Sequence, residues 1–211
     1  MKEIIELINS FIILVAFYIQ GQAYFKPQIY AQAIQSGLIS ALSFYLAFIT
    51  GISDYVFLGI IIIFIRSVLI TFFLLKGLRK IHGYRESTRG VASELILDLA
   101  FFITASLILY YFVVSKYKYS LLTVNNSYDL VFSFALFFQG LFLILSRKST
   151  ISQILGYIEE ENSLVLFGIF LIPIPFLIEV SIFLDVLGLI LVSSVLTRVK
   201  EEHKIVEELR G

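Results

Sequence analysis

Residues 156–170 read GYIEEENSLVLFGIF. Three adjacent carboxylates, Glu159, Glu160 and Glu161, stand beside Asn162 and lead straight into an apolar run. Hydropathy alone makes the triplet a loop between two apolar segments. A helix through it would carry acids into the interior of a membrane. The choice sets the number of spans, the side of the C-terminus, and whether titratable groups lie at membrane depth.

Of the 211 residues, 59% are hydrophobic, and the mean hydropathy is +0.94. That apolar share exceeds the soluble average and places the chain among multi-pass membrane proteins. The formal net charge is zero, so no bulk field directs it to nucleic acid. Without cysteine there is no disulfide, iron–sulfur ligand or thiolate metal site. His82 and His203 lie in polar segments. No cofactor, metal ligand or catalytic residue is therefore expected, and any redox chemistry belongs to a partner. Lys2 is offset by Glu3 and Glu6, and no small-residue cleavage site follows the first apolar run. The N-terminus thus reads as a span and not as a signal peptide.

A helix crossing the hydrocarbon core needs about 20 mostly apolar residues. Segments 4–21, 28–50, 54–76, 93–115 and 127–146 satisfy this. The stretch 151–197 is long enough for two more, and Pro173 and Pro175 in IPIP mark the turn between 151–172 and 176–197. The expected fold class is all-α, an integral membrane bundle of about seven transmembrane helices. It forms a single membrane domain over 1–211, with a three-helix unit at 1–77, an intervening helix at 93–115, a second three-helix unit at 127–200 and a tail at 201–211.

Loop charge supports this count. Seven spans put Lys26, Lys76, Arg79, Lys80, Arg85, Arg89, Arg147, Lys148, Arg198, Lys200, Lys204 and Arg210 on one side, twelve in all. Lys2, Lys116 and Lys118 fall on the other. Positive residues collect on the cytoplasmic side, so the C-terminus is expected inside and the N-terminus outside. A loop at 151–162 would break the alternation and move the C-terminal basic cluster outside. Tyr24, Tyr55, Tyr84, Tyr117, Tyr119 and Tyr128 fall near the expected interfaces, where amphipathic rings collect. A weak internal repeat fits the same scheme. Residues 57–80 align without gaps on the stretch from 176, matching Phe57, Leu58, Ile63, Phe64 and Arg79 to Phe176, Leu177, Ile182, Phe183 and Arg198. Helices 1–3 and 5–7 would then be parallel copies, as internal repeats in transporter folds are. Chance similarity of two apolar helices is the competing explanation.

The repeat pairs Arg66 with Asp185, each about ten residues, or about 15 Å, from a helix end. A charge at that depth costs at least about 2.5–3.5 kcal/mol, so it faces protein or water and has a partner. The pair reads either as part of a proton path or as a structural tie between helices. Arg66 keeps its proton, so its role would be electrostatic; Asp185 can titrate. Glu161 is again about ten residues into its span. Successive residues turn by about 100°, so the three glutamates fan over about 200° and cannot all face one cavity. Glu161 shares a face with Tyr157, and Glu160 with Gly156 and Gln153. Three neighbouring carboxyls in a poorly solvated site cannot all stay ionised, and their titrations are coupled. The bland alternative is a polar break at a helix boundary. Glu94 and Asp98 sit where a helix N-terminus favours anions, and as an i, i+4 pair they alternatively form a proton entry. Glu179 lies within a turn of Pro175, near the outer interface. Gln32, Gln35, Ser36, Ser40 and Ser43 on the second span read as interhelical hydrogen-bonders or as a cavity lining. The basic segment 76–89 reads as a topology determinant or as a docking site for a cytoplasmic partner.

The series SRKSTISQILGYIEEEN, PFLIE and FLDVLGLILVSSVL within 146–200 resembles the C-terminal half of the hydrogenase-4 E-subunit family. The last three helices of that family are similar to the K-subunit of respiratory complex I and the C-subunit of Mrp-type antiporters. The resemblance rests on Gly156-Tyr157, Glu161-Asn162, Pro175, Glu179 and Asp185, and more loosely on Tyr30-Ala31, Gln35-Ser36 and Arg66. It implies a membrane component of a group 4 hydrogenase or complex I-like assembly, in which intramembrane carboxyls move protons. Glu161 corresponds to the first such carboxyl, and Asp185 or Glu179 to the second. Glu159 and Glu160 are extra acids where that family carries apolar residues, and Ser163 replaces a glycine, so the two extra acids either share the proton site with Glu161 or form a polar flank toward a neighbouring protein.

The expected proton path comprises Glu161, Asp185, Glu160, Glu159, Glu179, Arg66, Tyr157 and Gln35. Expected partners are antiporter-like membrane proteins of the same complex, a peripheral redox module and the lipid bilayer. The expected location is the cytoplasmic membrane, and the coupling ion is H+ or Na+. Two rival functions stand beside it: a structural anchor whose buried charges only tie helices, and a cation/proton antiporter. The second lacks the pair of broken, Gly-rich helices that surround a transporter's substrate site.

Overall fold

The computed structural model describes residues 2–78, 86, 91–111, 127–171 and 174–208. Helix α1 (Lys2–Gln20) turns back into α2 (Phe25–Thr50). Helix α3 (Asp54–Ile61) passes without a break into a π-helical stretch, π1 (Ile62–Ile70), and then into α4 (Thr71–Leu78). Helices α5 (Val91–Leu109), α6 (Ser127–Ser146), α7 (Thr150–Leu171) and α8 (Ile174–Glu208) follow. No strand occurs among the described residues.

Among the described residues five stretches are long and apolar enough to cross a membrane: Glu3–Gln20, Phe25–Thr50, Asp54–Leu78, Asp129–Ser146 and Pro175–Ser194. Leu95–Leu109 is a shorter apolar helix. At 22 residues α7 has a comparable length, but its three glutamates dilute its apolar character. It is nevertheless one continuous helix through Glu159, Glu160 and Glu161.

Surface and interior are reversed relative to a water-soluble bundle. On α1 the exposed stripe is Ile4, Leu7, Phe11, Leu14 and Tyr18, whereas Asn9 and Gln20 are buried. On α2 the exposed residues include Ile34, Phe44 and Phe48, while Gln28, Gln32, Gln35, Ser36, Ser40 and Ser43 turn inward. Apolar side chains dissolve in lipid, whereas polar groups there must find partners inside the protein. Helix α2 takes the central place, packing on α1, π1, α4 and α7.

The interior is layered. One apolar cluster gathers Ile12, Ile39, Leu58, Leu136 and Leu166. A second gathers Ile19, Ile29, Ile70, Leu143 and Leu155. On three helices a run of buried polar residues falls between these two sets: Gln32 to Ser36 on α2, Arg66 on π1, and Glu159 to Ser163 on α7. The most intimate pair is the α6–α7 hairpin, where the backbones touch at Gly140 and Gly156. A Cβ on Gly140 would lie 2.7 Å from the Gly156 carbonyl oxygen, so neither position has room for a side chain. Gly51 closes α2 in the left-handed region (φ 70°), its N–H donating to the Ala47 carbonyl at 2.9 Å.

Several boundaries differ from expectation. The last helix runs to Glu208 and takes in most of the expected tail at 201–211. Nothing in RVKEEHKIVEE breaks a helix, and Lys and Glu are good helix formers. Pro175 lies in the first turn of α8, where its missing N–H costs nothing. Pro173, Tyr84, Tyr117, Tyr119, residues 112–115 and most of the basic segment 76–89 lie outside the described residues.

Candidate functional site

Arg66 stands in the middle of π1 and is only 1% exposed. Its guanidinium reaches two other helices. Nε donates to Asp185 Oδ1 on α8 at 2.5 Å, Nη1 to Asn162 Oδ1 on α7 at 3.2 Å, and Nη2 to Ser181 Oγ on α8 at 3.5 Å. π-helical turns within α-helices recur at functional sites. Here the turn carries the one arginine that joins three elements in the polar layer.

A second carboxyl faces the same cation. Glu161 Oε2 lies 4.0 Å from Arg66 Nε, beyond hydrogen-bond range. Among the described residues no donor stands within 3.5 Å and in good geometry of either Glu161 oxygen or of Asp185 Oδ2. Tyr157, one turn earlier on α7, carries the hydroxyl that faces the Glu161 carboxyl. Gly188, one turn after Asp185 on α8, makes room for the Glu161 carboxyl: a Cβ there would stand 3.3 Å from Oε1. One guanidinium therefore faces two buried carboxyls. With all three charged the group is net negative in a dry interior, and one proton on either carboxyl restores neutrality. Such a group suits gaining, holding and passing on a proton.

Asn162 extends the cluster across to α2. Its Nδ2 donates to Gln35 Oε1 and Ser36 Oγ, each at 3.0 Å, and Gln32 Nε2 donates to the same Gln35 oxygen at 3.2 Å. Glu159 is fully buried, and Gln35 and Asp98 of α5 are both within its electrostatic reach. Asp98 faces Gln139 of α6 and, farther off, Arg147. Among the described residues the donors facing these two carboxyls are Gln35 for Glu159 and Gln139 for Asp98, both farther than 3.5 Å or off-axis. Buried polar groups thus succeed one another from Asp185 through Glu161, Asn162, Gln35, Glu159 and Asp98 to Arg147.

Arg147 sits in a second charged cluster, at one end of the bundle. It donates to the Gln20 carbonyl and, at 3.5 Å, to Glu86 Oε2. Glu86 also accepts from Lys148 N at 3.1 Å, Ser149 N at 2.9 Å and Ser152 Oγ at 2.8 Å. It thus satisfies the orphan amides at the start of α7, where a helix dipole favours an anion. The Glu86 N–H donates to the Ala23 carbonyl at 2.9 Å, which ties the α1–α2 turn to the same point.

The expected site residues divide by position. Arg66, Asp185, Glu161, Tyr157 and Gln35 meet in one polar layer. Glu159 points to the other flank, toward Asp98, and Glu160 is half-buried with its backbone against Gly140. Glu179 is exposed on α8, away from the cluster. The Glu94 side chain lies outside the described residues. Four participants were not singled out from sequence: Asn162 as the bridge to α2, Gln139, Arg147 and Glu86. A lone amide inside an apolar helix points to Gln139, and a lone acid in a basic segment points to Glu86. Among the described residues no three His, Cys, Asp or Glu side chains are grouped to hold a metal ion. No family model, curated protein or solved structure matches the chain.

Proposed function

We propose that this chain is a proton-carrying membrane component of an energy-converting redox complex of the group 4 hydrogenase or complex I type. One observation carries the reading: a single buried guanidinium faces two carboxyls from two other helices, hydrogen-bonded to Asp185 and 4.0 Å from Glu161. In this mechanism a proton on Glu161 leaves for Asp185 as charge is redistributed around Arg66, which stays protonated throughout. Tyr157 assists at Glu161. Gln35 and Asn162 connect this pair to Glu159 and Asp98, from which protons exchange toward the Arg147 end. Seven spans, a cytoplasmic C-terminus and a parallel repeat of helices 1–3 and 5–7 belong to the same proposal. The supports are the loop charge bias and the antiparallel course of the hairpins. Electron transfer belongs to a peripheral partner, since the chain has no cysteine and only two histidines.

The test is flux. In the complex reconstituted in liposomes, Glu161→Gln should leave the set of assembled proteins unchanged and lower proton uptake at least tenfold, read with a pH-sensitive dye. Undiminished uptake would sink the assignment. Purification in mild detergent should bring down a nickel–iron or quinone-reactive module, and a lone homo-oligomer would overturn membership in such a complex.

The short Arg66–Asp185 contact favours one rival, a structural anchor whose charges only tie helices. Asp185→Asn would then cost assembly, and the charge-swapped pair Arg66→Asp with Asp185→Arg would restore it without any effect on flux.

A further inference from the structure

The outer face of the α1–α2 hairpin holds a groove of about 760 Å³, lined almost wholly by apolar side chains. Its polarity is graded along both walls. On α2 the lining residues run Lys26, Tyr30, Ile34, one turn apart. On α1 they run Tyr18, Leu14, Phe11 away from the turn. Both walls thus change from charged or phenolic near the turn to hydrocarbon deeper in. The residues are outward-facing: Tyr18 is 51% exposed, Leu14 61% and Ile34 58%.

The groove's length is that of half a bilayer. Lys26 to Ile34 is eight helical steps and Tyr18 to Phe11 seven, so each wall is about 11–12 Å long at 1.5 Å per residue. One leaflet of hydrocarbon is about 15 Å deep. The charged end lies beside the α1–α2 turn, the same end as Glu86, Arg147 and Lys148. Lys26 also falls in the first turn of α2, where free backbone amides favour an anion.

We propose that this groove binds an anionic phospholipid of the leaflet on the basic side. Lys26 holds the phosphate, the Tyr18 and Tyr30 rings lie at the ester level, and an acyl chain runs over Leu14 to Phe11 and Ile34. A zwitterionic lipid offers the same chain but no net charge for Lys26. The site is separate from the buried carboxyls and does not depend on proton carriage.

The chain has no tryptophan, so one introduced indole is a clean reporter. Ile34→Trp protein would be reconstituted in vesicles containing brominated phosphatidylglycerol or brominated phosphatidylcholine, and its quenching compared. Phosphatidylglycerol should quench with an apparent association at least fivefold stronger. Adding Lys26→Glu should bring the ratio to about one. Phe48→Trp, at an 87% exposed position near the other end of α2, should show no preference. Equal quenching by both lipids at position 34 would overturn the proposal. So would an indole shielded from both, since a protein surface would then cover the groove.

Discussion

Among the described residues two buried arginines have carboxylate partners, and the two clusters differ in their balance of charge. At the end of the bundle, Glu86 accepts from Arg147, from two backbone amides and from Ser152, so one anion meets one cation and a helix N-terminus. In the polar layer, Arg66 meets two carboxyls: it donates to Asp185 and stands 4.0 Å from Glu161. The first arrangement is closed: every change of protonation would break a bond. The second is open: it holds one more acid than its cation neutralises, and its hydrogen bonds survive transfer of a proton between the carboxyls. Burial of charge is common to both clusters; what separates the proposed relay from the clamp is its balance of two acids to one cation.

The largest effect expected is at Arg66. Arg66→Ala leaves two carboxyls buried without a cation and should destabilise the bundle by about 3–5 kcal/mol, read by denaturant titration in mixed micelles. A loss below about 1 kcal/mol would mean that water, not the guanidinium, solvates the layer. Next comes the closed cluster. Glu86→Ala should cost about 2–3 kcal/mol in the same titration, because four donors lose their acceptor, while proton flux per folded molecule stays unchanged. Flux falling with Glu86→Ala would erase the distinction drawn between clamp and relay.

A smaller change sharpens it. Gly188→Ala brings a methyl to 3.3 Å from Glu161 Oε1, so the carboxyl must give by a few tenths of an ångström. Overpacking of this size should cost about 1 kcal/mol by thermal midpoint. It should slow proton flux severalfold, since it displaces the group that exchanges. Equal flux would show that Glu161 need not sit where it does. The smallest effect belongs to Glu179, exposed and apart from both clusters. Glu179→Gln should stay within about 0.5 kcal/mol and leave flux intact. A large loss there would move the second carboxyl from Asp185 to Glu179.

Much of the architecture was legible in the chain. Apolar segments of spanning length and the prolines of IPIP, which mark the break between α7 and α8, are local signals. A local signal survives folding because it fixes the backbone whatever packs on it. The fan of the glutamates was legible too, since a helix rotates successive residues by a fixed angle: Glu161 faces Arg66, Glu159 turns to Asp98, and Glu160 lies along α6. Arg66 and Asp185 were each legible as charges near mid-span; their meeting at 2.5 Å is a fact of packing.

Other features came only with tertiary structure. Asn162 looked like a neighbour of the acids; packing of α7 on α2 and π1 makes it the bridge between Arg66 and Gln35. Glu86 stood unremarked in a basic segment, and only the return of the chain beside the start of α7 supplies its four donors. The π-helical turn around Arg66 has no local mark in IIFIRSVLI. The sequence by itself determined which residues must leave water and which must stay helical, because burial and backbone preference are properties of each segment. Tertiary structure alone decided which buried polar groups meet, because a hydrogen bond between helices depends on the rotation and depth of both.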